Sequence, residues 1–240
     1  MPNCLVIEKA GEPLIRGEID RGELAADEIE IEIHYCGVCH SDLHQGKNDW
    51  GRAFFPLVPG HEVTGIVRSI GSEVTKFKVG DRAGVGVFKN SCGDCEMCLD
   101  GKENYCLNGR TQTYNAPLAN GERTKGGYAK TIHARESFSH LIPDNLPLHS
   151  AAPLLCAGIT TFAPLTQWGV GPGSKVAVVG VGGLGHMGIK FAVALGAEVT
   201  VIGRTEAKKQ DALSFGAIEF ITTDEEFKDR ANSFDLVLNA

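Results

Sequence analysis

The amino-acid sequence predicts an α/β-plus-β chain: a β-barrel or sandwich in the first half, then a doubly wound parallel sheet. Three observations carry this. Up to Ser150 the apolar stretches are short, alternating and separated by Gly turns. After Ser150 strand-like and helix-like stretches alternate. A Gly180-x-Gly182-x-x-Gly185 run stands at the first strand–helix junction of that second part.

Taken in order, Ile29-Glu30-Ile31-Glu32-Ile33 alternates apolar and acidic residues, the period-two mark of a half-buried strand. Glu62 to Ile70 is a second strand, closed by Gly71-Ser72. Lys78 to Arg82 reads as a turn into a strand at Ala83 to Val87, and Gly126 to Ile132 gives one more short strand. Pro143, Pro147 and Pro153 then change the texture, so the expected domains are 1–150 and 151–240. Beyond them come a strand at Lys175 to Gly180, a helix at Leu184 to Leu195 and a strand at Glu198 to Ile202. A helix follows at Glu206 to Phe215, ended by Gly216, with short strands at Ala217 to Ile221 and Asp235 to Leu238. Such alternation builds a parallel sheet with crossovers. A complete fold of this kind has six strands. Only one half and a fourth strand are counted, so the chain is expected to be truncated at its C-terminus.

Composition narrows the function classes. Apolar residues are 42% and charged residues 22% of 240, which excludes a disordered chain. The net charge of −7, with no basic tract, argues against a nucleic-acid partner. No apolar run reaches a membrane span, and Glu8 and Lys9 interrupt the N-terminal stretch, so neither membrane nor secretion is expected. The expected location is cytoplasmic. Eight cysteines there point to metal or catalysis rather than disulfides.

Cys92, Cys95, Cys98 and Cys106 form C-x2-C-x2-C-x7-C, a spacing that closes a tetrahedral zinc shell. An iron–sulfur cluster is the weaker competitor, because its ligand spacings differ. Cys39, His61 and Cys156 together have the composition of a Cys2His zinc shell with one open position. They are far apart in sequence, so spacing alone does not assemble them, and Cys156 alone reads equally well as a small core residue. Cys4 and Cys36 are expected to be buried, inert thiols.

The glycine run has the context of a dinucleotide fingerprint, a strand before it and a helix after it. Gly180 makes the tight turn, Gly182 admits a pyrophosphate, and Gly185 packs helix on strand. Gly183 and Leu184 open the helix whose N-terminus faces the phosphates. An NAD enzyme would carry an acid at the end of the second strand. Here Gly203, Arg204, Thr205 and Lys208 follow Ile202 instead, an arrangement suited to a 2′-phosphate. NADP is therefore the expected cofactor.

These motifs resemble the zinc-dependent medium-chain alcohol dehydrogenases, and within them the cinnamyl alcohol dehydrogenase branch. The likeness rests on Gly37 to Leu43, Pro59 to Gly65, the four-cysteine loop, Leu154 to Thr160 and Gly180 to Gly188. It implies a GroES-like catalytic domain followed by a Rossmann domain, two zinc ions per chain, and a homodimer at full length. It implies that Cys39, His61 and Cys156 hold a catalytic zinc, with Glu62 as a neighbouring carboxylate able to ligate it. It implies further that Asp42 orients the zinc histidine, that Ser41 and His44 relay a proton, and that Thr160 lies beside the nicotinamide. The branch commonly has a serine where Gly203 and Arg204 stand.

The implied reaction is hydride transfer between NADP(H) and an aldehyde or primary alcohol, small molecules both. Two rivals stand beside it: a zinc-free quinone oxidoreductase on the same fold, and a non-catalytic remnant that binds zinc and nucleotide. Trp50, Trp168 and Phe88 are candidates for an apolar substrate pocket or for plain core.

Overall fold

The computed structural model describes residues 1, 3–118, 120–222, 228 and 230–240. The chain forms two compact units, Met1–Cys156 and Ala157–Ala240.

The first unit opens with an antiparallel ribbon of β1 (Cys4–Val6) and β2 (Ile15–Gly17). Then come β3 (Glu28–Cys36), α1 (His40–Lys47), β4 (Val63–Ile70), β5 (Arg82–Val85) and β6 (Phe88–Asn90). The remaining elements are α2 (Glu96–Leu99), β7 (Thr111–Gln112), β8 (Thr131–Arg135), β9 (Ser139–Leu141) and α3 (Leu148–Ala151). A five-stranded antiparallel sheet runs β8-β3-β4-β5-β9, and β6 pairs with β7.

The alternation in β3 explains this sheet. Ile29 and Ile31 are fully buried and pack with Val63, Val67, Val85 and Ile132. Each such side chain contributes about 1.5–3 kcal/mol of transfer free energy. The pairing register of β3 and β4 shifts at Glu30/Ile31 and at Ile33/Tyr35. Such bulges bend and twist a strand next to a site. The strand expected to run to Val87 stops at Val85, because the chain at Gly86 lies against Leu155. A Cβ there would stand 2.7 Å from the Leu155 carbonyl oxygen.

The second unit holds α4 (Ala157–Gln167), β10 (Lys175–Val179), α5 (Gly183–Ala194), β11 (Glu198–Ile202), α6 (Lys209–Ser214), β12 (Glu219–Ile221) and β13 (Leu236–Asn239). Its four strands are parallel in the order β12-β11-β10-β13. Val176, Ala177 and Val178 are all fully buried, as expected of a central parallel strand covered on both faces. β11 and β12 stack to one side of β10 and β13 to the other, so the order reverses at β10. Open α/β sheets bind ligands beyond the carboxyl ends of strands at such a reversal. The helix expected at Glu206 to Phe215 is divided into a 3-10 turn at Glu206–Lys208 and α6, with no side-chain cap at Thr205.

No single helix among the described residues is long and apolar enough to cross a membrane. Trp50 and Trp168 belong to neither core: they are 45% and 73% exposed.

Candidate metal centres and dinucleotide loop

Cys39 is the N-cap of α1, a helix with no counterpart in the sequence reading. Its Sγ accepts from the Ser41 N–H at 3.5 Å, while its own N–H donates to Asp42 Oδ2 at 3.0 Å. This reciprocal capping box satisfies the N-terminal amides and fixes the direction of the thiol. Asp42 is 4% exposed and does more than cap. Its Oδ1 accepts the Gly60 N–H at 3.0 Å and stands 3.4 Å from His61 Nδ1, and its Oδ2 accepts the Tyr128 hydroxyl at 3.2 Å. Burial works to raise the Asp42 pKa, but His61 and the Cys39 and Gly60 amides outweigh it, so the carboxylate form is favoured.

Asp42 thereby fixes His61 through Nδ1 and leaves Nε2, which is buried and has no hydrogen-bond partner. Burial alone would lower the His61 pKa, yet Asp42 and Cys39 raise it to about 9. The donor atoms of Cys39, His61, Glu62 and Cys156 all lie within 4.8 Å of one another. The two sulfurs are 3.9 Å apart. The pair is unequal: the Cys156 thiol and the nearby His61 imidazole favour the Cys39 thiolate, and that neighbour together with burial disfavours ionisation of Cys156. A bare thiolate beside an orphaned imidazole nitrogen is a donor set in need of a cation.

Gly37 makes room for this cluster. A Cβ on it would stand 1.9 Å from Glu62 Oε2, so no side chain fits there without displacing the carboxylate. Nothing in the sequence pattern separates Gly37 from other glycines before a turn.

The second cluster is the four-cysteine loop around α2. Its sulfurs stand 3.8 Å (Cys92–Cys98), 4.0 Å (Cys95–Cys106) and 3.5 Å (Cys92–Cys106) apart. The edge of a tetrahedron with zinc–sulfur bonds of 2.3 Å is about 3.8 Å. These distances fit it, and all four thiols are free. Gly93 and Gly101 turn the loop through the left-handed region at φ +80° and +70°. Amides of Leu107 and Cys98 lower the Cys95 thiol to about 6. Both donor sets therefore fit zinc.

Ser41 and His44 lie three residues apart on α1, hence on one face. His44 Nδ1 is 2.8 Å from Asp49 Oδ2, and its ring packs 5.3 Å from that of Trp50. Cys4 is buried and Cys36 half-buried, and burial pushes both thiols up, Cys36 to about 12.

In the second unit, Gly180 turns at φ +90° and Gly182 is the N-cap of α5, with no side chain over the helix start. Open space surrounds the Cβ positions of Gly182 and Gly183. Gly185 is different: a Cβ there would stand 2.1 Å from the Gly180 carbonyl oxygen. Leu184 follows in the first turn. Beyond β11, Gly203 sits against the Phe220 ring, where a Cβ would come to 2.4 Å. Arg204 and Thr205 are exposed. Lys208 pairs with Asp211 at 3.2 Å, and Arg204 has no ion-pair partner among the described residues. Thr160 is exposed on α4.

With this geometry in hand, comparison with known proteins is decisive. Residues 25–144 match the alcohol dehydrogenase GroES-like domain, and residues 158–240 match the alanine dehydrogenase/PNT C-terminal domain. The NADP-dependent alcohol dehydrogenase C 1 of Mycolicibacterium smegmatis is 50% identical over 96% of the chain and 67% of that relative. The chain belongs to the medium-chain alcohol dehydrogenases, in the cinnamyl alcohol dehydrogenase branch. The cinnamyl alcohol dehydrogenase of Sorghum bicolor superposes with a TM-score of 0.94 at 40% identity, over 100% of this chain and 69% of that one. The Helicobacter pylori enzyme, solved with NADP(H), gives 0.93 at 40% identity over 99% and 68%. This medium-chain dehydrogenase chain thus spans about two thirds of the length of such relatives.

Proposed function

We propose that this chain carries the metal and cofactor machinery of a zinc-dependent oxidoreductase that interconverts aldehydes and primary alcohols with NADP(H). The observation that carries the reading is the convergence of two thiols, an imidazole and a carboxylate from distant parts of the chain. Naming of the M. smegmatis relative as NADP-dependent, and the NADP(H) complex of the H. pylori enzyme, support the cofactor.

Cys39, His61 and Cys156 are the proposed ligands of one ion, with Glu62 the alternate ligand. Cys92, Cys95, Cys98 and Cys106 would hold a second, purely structural ion. Zinc in the first position acts as a Lewis acid toward a carbonyl oxygen. The chain's own residues do the rest. Asp42 holds His61 by Nδ1, so that Nε2 is the atom presented. The Ser41 hydroxyl and the His44 imidazole pass a proton between the reacting oxygen and solvent, and Asp49 fixes the imidazole that shuttles it. The Gly180–Gly185 loop and the start of α5 bind the pyrophosphate. Gly203, Arg204, Thr205 and Lys208 read the 2′-phosphate, with Arg204 uncommitted to any carboxylate among the described residues and Lys208 shared with Asp211. Thr160 is proposed to contact the nicotinamide.

Cys39→Ala tests the assignment. The variant should lose one of two zinc ions per chain and NADPH-dependent benzaldehyde reduction, yet keep NADPH binding. Unchanged zinc content and turnover would overturn it.

A further inference from the structure

Three arginines converge on a feature that the dehydrogenase reading leaves unused. Arg52, Arg110 and Arg123 line a hollow of about 410 Å³ in the first unit, with Gln45, Gln112 and Asn115 at its wall. Among the described residues no carboxylate lines it. In a chain of net charge −7, three uncompensated cations in one concavity run against the overall balance.

The way the arginines are held explains how their charge survives. Arginine ion pairs among the described residues belong to Arg82, Arg135 and Arg230. The three hollow arginines instead lie over aromatic rings: Arg52 on Trp50 at 5.4 Å, Arg110 on Phe88 at 4.5 Å and Arg123 on Phe54 at 3.5 Å. An aromatic face orients a guanidinium without neutralising it. Carbonyl oxygens help to aim two of them, Arg110 through Asn104 at 3.1 Å and Arg123 through Asn115 at 3.5 Å. Asn115 is itself fixed: its Nδ2 donates to Gln45 Oε1 at 2.9 Å and its Oδ1 accepts the Phe54 N–H at 3.1 Å. The wall is therefore built, and the cations on it are held in place without a carboxylate partner among the described residues.

We propose that this hollow is a binding site for a phosphate group. A guanidinium presents a planar fork of donors. One fork already satisfies both oxygens of a monocarboxylate. Three forks lining one hollow call for a doubly charged, tetrahedral oxyanion with enough acceptors to serve them all. The site is distinct from the proposed 2′-phosphate residues, which belong to the other unit.

Arg52 rests on Trp50, so that indole is a built-in reporter. The chain has two tryptophans, and replacing the exposed Trp168 leaves Trp50 as the sole one. The Trp168→Phe chain is titrated with inorganic phosphate at constant ionic strength, with acetate as control. Phosphate should give a saturable change in emission and acetate none. Losing one charge-assisted hydrogen bond corresponds to about tenfold or more in affinity, so Arg123→Gln and Arg110→Gln should each weaken binding by at least that. Arg204→Gln, in the second unit, should leave it unchanged. The replaced arginines lie at the surface, and an unchanged thermal midpoint in each variant confirms folding. The same saturable change with glycerol phosphate assigns the site to phosphate monoesters, and a response to free phosphate alone assigns it to the free ion; both support the proposal. A response that acetate equals, that survives both arginine substitutions, or that vanishes in Arg204→Gln overturns it.

Discussion

Asp42 serves three structures at once: the start of α1, the turn at Gly60 and the orientation of His61. Partners that hold a metal-binding histidine typically contribute about 10–100-fold to metal affinity. Asp42→Asn should therefore weaken zinc at the Cys39 cluster by about that factor, while the four-cysteine site keeps its affinity. Competition with a chromophoric chelator, resolving the two ions, reads both. Equal weakening at the two sites would mean that Asp42 acts through general stability instead. The sequence could suggest Asp42 only by resemblance. Apart from the local Cys39, its partners Gly60, His61 and Tyr128 come from segments that spacing cannot bring together, whereas the four-cysteine loop is local and legible from its own spacing.

At the scale of elements, legibility followed locality too. β3 was readable because Ile29, Ile31 and Ile33 alternate with glutamates, and β10 because its apolar run is continuous. α1 was not, since His40 to Lys47 carries no apolar stripe; a cap and buried Asp42 and Gln45 hold it instead of an apolar face. The glycine loop was legible in kind, and the structure separates its members. Gly182 and Gly183 face open space, and Gly185 alone is locked by a carbonyl oxygen at 2.1 Å. Gly185→Ala should therefore push α5 off β10, abolish NADPH binding and lower the thermal midpoint. Gly183→Ala should spare stability. Isothermal titration and melting of the two variants check this pair.

For the molecule as a whole, the buried His133 contributes one part of the pH dependence of stability. Burial lowers its pKa, assisted by Arg21 and Lys89 and opposed by Glu28 and Glu30. The folded chain then binds fewer protons at this site than the unfolded chain, whose value is the ordinary 6.5. Stability consequently rises with pH through the window below that value and is lost as pH falls through it. The stability of the chain relative to its His133→Gln variant, read from denaturation midpoints, should therefore rise between about pH 5 and about pH 7.5. That difference isolates this contribution from His140, shifted the same way by burial, and from His61, shifted the opposite way. A difference that does not change with pH would place the titration elsewhere.

The two cysteine clusters also differ in how much chain each encloses. Cys92 and Cys106 are 14 positions apart, whereas Cys39 and Cys156 are separated by 117. By the entropy of ring closure, cross-linking about 15 residues restricts an unfolded chain by about 3 kcal/mol, and about 100 residues by about 4.7 kcal/mol. The short ring can form during synthesis, soon after Cys106 leaves the ribosome. The long one must wait until nearly the whole first unit has emerged. On the proposed assignment the local ring can close first, so the proposed structural ion would be held before the proposed Lewis acid, whose ligands meet only once the framework around them has folded.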